Sequence, residues 1–295
     1  MWDRLGREIN YMRISVTDRC NFRCRYCMPP QGTVWRDRKE ILRYEELLEI
    51  VRAAAGLGIS HVRVTGGEPF VRRGLMGFLR ELTALPGVET VSVTTNGSLL
   101  GPHLEELKKI GINGINISLD TLSREQFARL TGRDQMETVL AAVKRAAAMG
   151  FDHLKLNCVP MRGVNEDQLC ALAGLAKDLD LDVRFIELMP VGLGAEFEGI
   201  PQDEAVKRLE EAYGPIIWED AGRLAGGKPV KAEKRDGEQT GTPLMMPWKT
   251  PSAEENDLPG RSGRGWGPAV YGRLEGFRSP VGFISAMSHM FCSSC

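Results

Sequence analysis

The chain has 295 residues, 42% of them hydrophobic and 26% charged, with a formal net charge of −1. This length suits one large domain with a small appendage, and the near-neutral charge excludes a molecule that is strongly basic throughout, as many nucleic-acid-binding proteins are. No apolar run reaches the roughly 20 residues that cross a membrane, and no apolar signal segment opens the sequence. We therefore expect a cytoplasmic protein with neither nucleic acid nor membrane as a partner.

Six short β-type runs alternate with amphipathic helical patterns along the first two thirds of the chain. The runs cover residues 11–16, 61–65, 88–94, 114–118, 153–157 and 182–188. Repeated strand–helix units of this length predict parallel strands joined by right-handed crossovers. Both an open six-unit barrel and a doubly wound sheet satisfy that count.

Polar side chains in the first five runs share one face of the predicted sheet. They are Arg13, Ser15, Arg63, Thr65, Ser92, Thr94, Asn116, Ser118, His153, Lys155 and Asn157. Central strands of a doubly wound sheet are apolar on both faces, so this alternation favours an α/β fold of the partial (βα)6 TIM-like barrel type. Its polar lumen would hold a large polar ligand. The sixth run is less regular, although Glu187 and Met189 would lie on the same face of it.

The composition changes after residue 213, and it divides the chain into three predicted parts. Residues 1–213 form the partial barrel. Residues 214–267 form a linker or insertion, because the stretch 226–267 is rich in Gly, Pro, Ser and charge with little periodicity. Residues 268–295 begin a C-terminal extension, with two or three short strands leading to the last cysteines.

Five of the seven cysteines are clustered. Cys20, Cys24 and Cys27 follow the first strand with Cys-x-x-x-Cys-x-x-Cys spacing, and Cys292 and Cys295 end the sequence. In a reducing compartment, clustered cysteines are typical metal or redox ligands. Three thiolates leave one iron of a [4Fe–4S] cluster open to an amino-acid head group. Structural zinc is the alternative, but the unequal spacing argues against paired Cys-x-x-Cys ligands.

Two of these strings point to a known superfamily. CNFRCRYC at 20–27 resembles the radical S-adenosylmethionine signature, and TGGEP at 65–69 resembles the glycine-rich loop of that superfamily. Further strings resemble the molybdenum cofactor biosynthesis protein A family, the GTP 3′,8-cyclases. These strings are LGREINYMRISVTDRCNFRCRYCMP, VRVTGGEPFVRR, TTNG, INISLD, RFIELMPVG and FCSSC.

The resemblance implies a radical S-adenosylmethionine lyase that binds GTP. In that superfamily a [4Fe–4S] cluster, reduced by one electron from a reductant, cleaves S-adenosylmethionine to methionine and a 5′-deoxyadenosyl radical. In the family this radical removes a ribose hydrogen of GTP, and the C3′ carbon then attacks guanine C8. The product, (8S)-3′,8-cyclo-7,8-dihydroguanosine 5′-triphosphate, passes to a cyclic pyranopterin-forming protein. The oligomeric state is left open, with a homodimer as one option.

The resemblance also assigns residues by position. Cys20, Cys24 and Cys27 match the ligands of the first cluster. The positions that contact S-adenosylmethionine are matched by Tyr26, Gly67, Ser118 and Met189, and those that contact GTP by Arg13, Arg63, Thr94 and Lys155. Arg13, Arg63 and Lys155 also lie on the predicted lumen face, and a triphosphate needs cations of this kind around it.

Cys292 and Cys295 match the start of a second cluster site. In the family a third cysteine and an Arg-rich segment follow this pair, so we expect the second site to be incomplete in this chain. The alternative function is therefore a truncated, catalytically impaired remnant that binds S-adenosylmethionine and GTP.

Overall fold

The computed structural model describes residues 8–219, 270–273, 276, 278–279 and 281–284. Strands and helices alternate along the first of these ranges, as the periodicity predicts. The strands are β1 Tyr11–Ser15, β2 His61–Thr65, β3 Thr90–Thr95, β4 Gly114–Ser118, β5 His153–Cys158, β6 Asp182–Ile186, β7 Ile217–Glu219, β8 Val270–Arg273 and β9 Val281–Ile284. The helices are α1 Tyr44–Gly56, α2 Leu75–Thr83, α3 Leu104–Lys109, α4 Arg124–Thr131, α5 Met136–Ala148, α6 Leu169–Asp178 and α7 Gln202–Tyr213.

The described strands form one sheet in the order β1-β2-β3-β4-β5-β6-β9-β8-β7. The first six strands are parallel to one another, and β9 is parallel to β6. β8 pairs antiparallel with both β9 and β7. Successive parallel strands lie side by side because each is followed by a helical crossover. The predicted α/β class with six parallel strands is confirmed.

Two predicted strand boundaries were wrong by two residues. The third strand begins at Thr90 rather than at residue 88, because Val88 belongs to a turn in which its N–H donates to the Leu85 carbonyl at 3.2 Å. The sixth strand ends at Ile186 rather than at residue 188.

The outward face of the sheet packs against the helices. Val62, Val64, Ile115 and Ile117 alternate with the polar positions, and all four are buried in one hydrophobic core. Burying a side chain of this size contributes roughly 1.5–3 kcal/mol relative to leaving it exposed. The core face of α1 consists of Leu47, Leu48, Val51 and Ala54.

The inward face of the sheet is polar, and its side chains converge from strands that are not neighbours. Arg184 on β6 reaches across β5 to donate to Asn116 Oδ1 on β4 at 2.6 Å. The charge of Arg63 on β2 acts on Lys155 on β5, although β3 and β4 lie between them. This convergence agrees with the predicted barrel-like curvature and polar lumen.

The predicted division into three parts stays a prediction, because most of residues 214–295 lie outside the described residues. β7 falls within the predicted linker, and the two described C-terminal strands extend the same sheet. Among the described helices, none has the length and apolarity to cross a membrane.

Candidate active site

The cysteine loop leaves the carboxyl end of β1, the end at which β/α barrels carry their active sites. Cys20, Cys24 and Cys27 are partly buried, and none forms a disulfide. The loop closes on itself where the N–H of Cys27 donates to the Cys24 carbonyl at 2.9 Å. It is tied to the end of α4 by the N–H of Arg23, which donates to the Thr131 carbonyl at 2.8 Å.

The glycine loop after β2 packs directly against the cysteine loop. The N–H of Gly67 donates to the Thr17 carbonyl at 2.7 Å, and the N–H of Glu68 donates to the Arg19 carbonyl at 2.8 Å. A Cβ atom on Gly67 would lie 2.4 Å from the Arg19 carbonyl oxygen. Glycine is therefore required here for the two loops to meet.

Glu68 is fully buried and links the glycine loop to the end of β3. Its carboxylate accepts hydrogen bonds from the N–H of Phe70 at 3.1 Å, the Thr95 hydroxyl at 2.9 Å and the N–H of Asn96 at 2.7 Å. Burial raises the pKa of Glu68 to about 7, against the lowering effect of these three donors. The carboxylate thus fixes the glycine loop against the end of β3.

The sulfur of Cys20 accepts hydrogen bonds from two donors. Cys20 Sγ accepts from the N–H of Phe22 at 3.4 Å and from Asn96 Nδ2 at 3.8 Å. Burial raises the pKa of the Cys20 thiol and that of Cys24, while the two donors oppose the rise at Cys20. A bound metal supplies the positive charge that makes a buried thiol a thiolate.

The chemistry of these residues fits a [4Fe–4S] cluster. Three free thiols on one loop, with donors aimed at a sulfur, agree with cluster ligation, because hydrogen bonds to the sulfurs are a usual part of such sites.

Tyr26, on the same loop, is connected to the carboxyl end of β4. Its hydroxyl donates to Asp120 Oδ2 at 2.9 Å, and Asp120 Oδ1 accepts from the N–H of Val159 at 2.8 Å. Burial raises the pKa of Asp120 to about 6, opposed by these two donors. Sequence reasoning missed Asp120, which lies two residues after β4. A carboxyl residue close to the carboxyl end of a strand in a β/α fold is a signal for a site residue.

The other two residues expected to contact S-adenosylmethionine also lie beyond or at strand ends. Ser118 is the last residue of β4 and is paired in register with Asn157. Met189 lies in the loop after β6, where its carbonyl accepts from the N–H of Val191 at 2.8 Å. Their contacts with the cofactor stay predictions.

The residues expected to contact GTP line the inward face. Arg13 and Arg63 are partners in register on β1 and β2. The Arg63 guanidinium lies over the Tyr11 ring, 5.3 Å from its centroid, and Nε donates to Ser92 Oγ at 3.3 Å. Thr94 on β3 is the register partner of Asn116.

Lys155 is one of two buried cations on this face among the described residues, the other being Arg184. Burial, together with the neighbouring charge of Arg184, lowers the pKa of Lys155 to about 8. Asp182, its register partner on β6, opposes these effects. The pKa of Asp182 is itself raised by burial.

Sequence reasoning missed Arg184, which is 7% exposed. Its guanidinium donates to Asn116 Oδ1 at 2.6 Å and to Asn157 Oδ1 at 3.0 Å. The signal was the alternation of Arg184 with Val183 and Phe185, both buried in the core. Glu187 and Met189 could not show which face of this strand is polar, because β6 ends at Ile186, before either residue.

Cys292 and Cys295 lie outside the described residues, so their predicted role in a second cluster stays a prediction.

Comparison with known proteins agrees with this geometry. Residues 14–176 match the radical SAM superfamily. The GTP 3′,8-cyclase of Moorella thermoacetica is 40% identical over 295 residues, covering 100% of this chain and 79% of the relative. The GTP 3′,8-cyclase of Petrotoga mobilis is 37% identical with the same coverage.

Two solved structures share the fold. Streptococcus suis SuiB bound to S-adenosylmethionine gives a TM-score of 0.58 at 18% identity, covering 69% of this chain and 46% of SuiB. A radical SAM methyltransferase from Sphaerobacter thermophilus gives 0.52 at 20% identity, covering 68% and 62%. Radical SAM membership implies a [4Fe–4S] cluster and S-adenosylmethionine as cofactors. The chain belongs to the GTP 3′,8-cyclase family of the radical SAM superfamily.

Proposed function

We propose that this chain is a lyase that cyclises GTP to (8S)-3′,8-cyclo-7,8-dihydroguanosine 5′-triphosphate, the first step of molybdenum cofactor biosynthesis. One observation carries the proposal: the three-cysteine loop follows the carboxyl end of β1 in the same sheet whose inward face carries the buried cations Lys155 and Arg184. A radical source and a triphosphate-binding surface would then face one cavity.

The cysteine end of the cavity would hold the two cofactors. We propose Cys20, Cys24 and Cys27 as cluster ligands, and Tyr26, Gly67, Ser118 and Met189 as the contacts of S-adenosylmethionine. When bound, the cluster and S-adenosylmethionine together supply the organic radical that removes a hydrogen atom from an unactivated carbon. The described contacts of Tyr26 and Gly67 fix the loops around this end.

The cationic inward face would bind the triphosphate. We propose that Arg13, Arg63, Lys155 and Arg184 pair with phosphate oxygens and that Thr94 contacts the nucleotide. Planar guanidinium groups offer paired N–H donors that match phosphate geometry, and two asparagine oxygens already hold Arg184 in one orientation. Burial of Lys155 and Arg184 strengthens their attraction for an anion, because the local dielectric is low.

Fixing the triphosphate would orient the ribose and the base for ring closure. With the nucleotide held at its phosphates, loss of the hydrogen atom at C3′ leaves that carbon free to bond to guanine C8 as the C8=N7 double bond opens. One electron and one proton then complete the 7,8-dihydroguanine ring at N7. Holding the reacting carbons in this relation lowers the entropic barrier to the bond-forming step.

Two finer points belong to the same proposal. A reductant would supply one electron for the cleavage of S-adenosylmethionine and a second, together with a proton, to the guanine ring after C3′ has bonded to C8. The product would then pass to a cyclic pyranopterin-forming protein. Cys292 and Cys295 would contribute to a second cluster site, and the iron content of the reconstituted chain distinguishes one loaded site from two. Nothing in the comparisons or in the described residues favours the alternative of an impaired remnant.

The proposal is tested with anaerobically reconstituted protein, a one-electron reductant, S-adenosylmethionine and either GTP or ATP. We expect 5′-deoxyadenosine together with a cyclised guanosine product from GTP, and no cyclised product from ATP. Cys24→Ser should remove iron from the first site and abolish both products. Cys170→Ser is the matched control, because this half-buried thiol lies outside the cysteine loop and donates to the Arg208 carbonyl on α7. Iron-loaded protein that forms 5′-deoxyadenosine but leaves GTP unchanged would contradict the assignment of the substrate.

A further inference from the structure

Asn96 lies just beyond β3 with its side-chain amide beside the first cysteine of the loop. We propose that Asn96 is a positioning residue that donates a hydrogen bond to the Cys20 thiolate and thereby raises the reduction potential of the bound cluster. The inference rests on the proposed cluster at Cys20, Cys24 and Cys27, and it assigns to Asn96 a role exerted through the Cys20 sulfur.

The orientation of the Asn96 amide follows from its partners. Asn96 Oδ1 accepts from the backbone N–H of Ser98 at 3.0 Å and from the Ser98 hydroxyl at 2.6 Å. A backbone N–H can only donate, so the amide oxygen has to face Ser98. The amide nitrogen therefore faces the other way, towards Asn21 and Cys20.

Both N–H groups of that amide have an acceptor. Asn96 Nδ2 lies 2.8 Å from Asn21 Oδ1 and 3.8 Å from Cys20 Sγ. One N–H is taken by the asparagine oxygen, and the second is directed to the sulfur. The hydrogen bond to Cys20 therefore uses the second N–H of the Asn96 amide, and both of its N–H groups have an acceptor.

The amide is held rigidly from both sides. The backbone N–H of Asn96 donates to the buried Glu68 carboxylate at 2.7 Å, and Asn21 Nδ2 donates to the Ser98 hydroxyl at 2.9 Å. Asn21, Ser98 and Asn96 form a closed ring of hydrogen bonds in which each side chain has a fixed orientation. A donor held in this way loses little entropy when the cluster binds.

The chemical effect follows from charge. Reduction adds one electron, so a cluster carries more negative charge in its reduced form, and a donor to a ligand sulfur stabilises that form more than the oxidised one. Hydrogen bonds to the sulfurs are among the features that set the reduction potential of iron–sulfur clusters. Removing the Asn96 donor should therefore make the cluster harder to reduce.

The test compares midpoint potentials of reconstituted, iron-loaded protein. Asn96→Ala should shift the potential of the first cluster to a more negative value and lose one exchangeable-proton coupling in pulsed paramagnetic resonance of the reduced cluster. Ser98→Ala is the comparison variant: it removes two hydrogen bonds of the ring but keeps the Asn96 donor and the backbone N–H that orients it. Its shift in potential should therefore be clearly smaller than that of Asn96→Ala. Asn96→Ser keeps a small polar group that is too short to reach the sulfur, and it should repeat the shift if the alanine variant does not retain iron.

The outcomes separate this inference from the proposed function. Absence of a cluster from the unaltered chain would defeat the proposed function. A loaded Asn96→Ala or Asn96→Ser variant with unchanged potential and unchanged proton couplings would overturn the role of Asn96 alone. A negative shift of the same size in Ser98→Ala would also overturn it. The shift would then come from a change in the loop, since the Asn96 donor is still present in that variant.

Discussion

The Tyr26 hydroxyl donates a 2.9 Å hydrogen bond to Oδ2 of Asp120, although the two residues are 94 positions apart in the chain. Asp120 is buried, and its second oxygen accepts from the backbone N–H of Val159 just after β5. One carboxylate therefore joins the cysteine loop to the carboxyl ends of β4 and β5. The loop that would carry the cluster is held by tertiary contacts with the sheet as well as by its own turn.

Removing either partner of this bond should destabilise the protein. We expect Tyr26→Phe to lower the free energy of unfolding by about 1–3 kcal/mol, because a buried carboxylate oxygen loses its donor. Asp120→Ala should cost more, since it leaves both the Tyr26 hydroxyl and the Val159 N–H without this acceptor. The loss of unfolding free energy in the double variant should be smaller than the sum of the two single losses, by about 0.5–3 kcal/mol. Denaturant unfolding of the reduced, cluster-free chain measures these differences.

Tyr213→Phe is the control for this cycle. The Tyr213 hydroxyl donates to the Cys170 carbonyl at 2.7 Å, so its loss removes a bond to a neutral acceptor, which contributes about 0.5–1.5 kcal/mol. Strict additivity of Tyr26→Phe and Asp120→Ala would contradict the coupling.

Gly67 offers a second test, because its role is steric. The Cβ of Gly67→Ala would come within 2.4 Å of the Arg19 carbonyl oxygen, so the glycine loop and the cysteine loop would have to separate. Overpacking typically costs about 1–3 kcal/mol, and a clash with backbone atoms belongs at the upper end of that range. We expect a lower thermal midpoint and poor iron retention after reconstitution.

Gly77→Ala makes the same chemical change where nothing lies within 4 Å of the new Cβ. Gly77 is inside α2, where alanine is favoured over glycine by roughly 0.5–1 kcal/mol. This variant should be slightly stabilised and should retain iron. Equal behaviour of the two variants would rule out the packing role of Gly67.

The alternation of polar and apolar residues was enough to predict the sheet and its polar inward face. Period-two patterns in β2 and β4 correspond directly to buried Val62 and Val64 on one side and to Arg63 on the other. Strand ends were harder, because Val88 has a strand-like side chain but is used in a turn. Local pattern cannot show where a backbone hydrogen bond goes.

Site residues whose role depends on distant partners were the ones that pattern missed. Asp120, Asn96 and Arg184 act through contacts with Tyr26, Cys20 and Asn116, which lie between 68 and 94 residues away in the sequence. No spacing rule encodes such contacts, since they arise only when parallel strands align. The cysteine triplet, by contrast, is a local motif and was visible in the sequence.

Arg184 should be required for nucleotide binding if the inward face holds a triphosphate. We expect Arg184→Met to weaken GTP binding by at least about tenfold, or ~1.4 kcal/mol, since it removes a buried cation from the proposed phosphate site. Arg184→Lys should give a smaller loss, because it keeps the charge but not the planar fork. Calorimetric titration with GTP measures both.

The stability of each variant has to be measured alongside, because Arg184 also satisfies the Asn116 and Asn157 oxygens. Arg145→Met is the charge-matched control: Arg145 is exposed and pairs with Glu105 at 3.0 Å, an ion pair of about 0–1 kcal/mol. It should leave GTP affinity unchanged. Retained affinity in a folded Arg184→Met variant would argue against a phosphate contact.

Lys155 should make GTP binding depend on pH in the alkaline range. Its pKa is lowered to about 8 by burial and by the nearby charges of Arg184 and Arg63, so the free protein loses this cation as the pH rises through that value. A bound phosphate favours the charged amine and raises the pKa again. Binding then takes up a proton near and above pH 8, and the affinity for GTP should fall as the pH rises, by at most tenfold per pH unit above the pKa of the free protein.

Lys155→Arg separates this titration from the general need for positive charge. An arginine stays protonated throughout the alkaline range, so the variant should bind GTP with a flatter pH profile, whereas Lys155→Met should bind weakly at every pH. The dissociation constant is measured calorimetrically at several pH values from about 7 to 9, on either side of the lowered lysine pKa. The same slope in the unaltered chain and in Lys155→Arg would exclude Lys155 as the titrating group, because only one of the two proteins can lose a proton at this position.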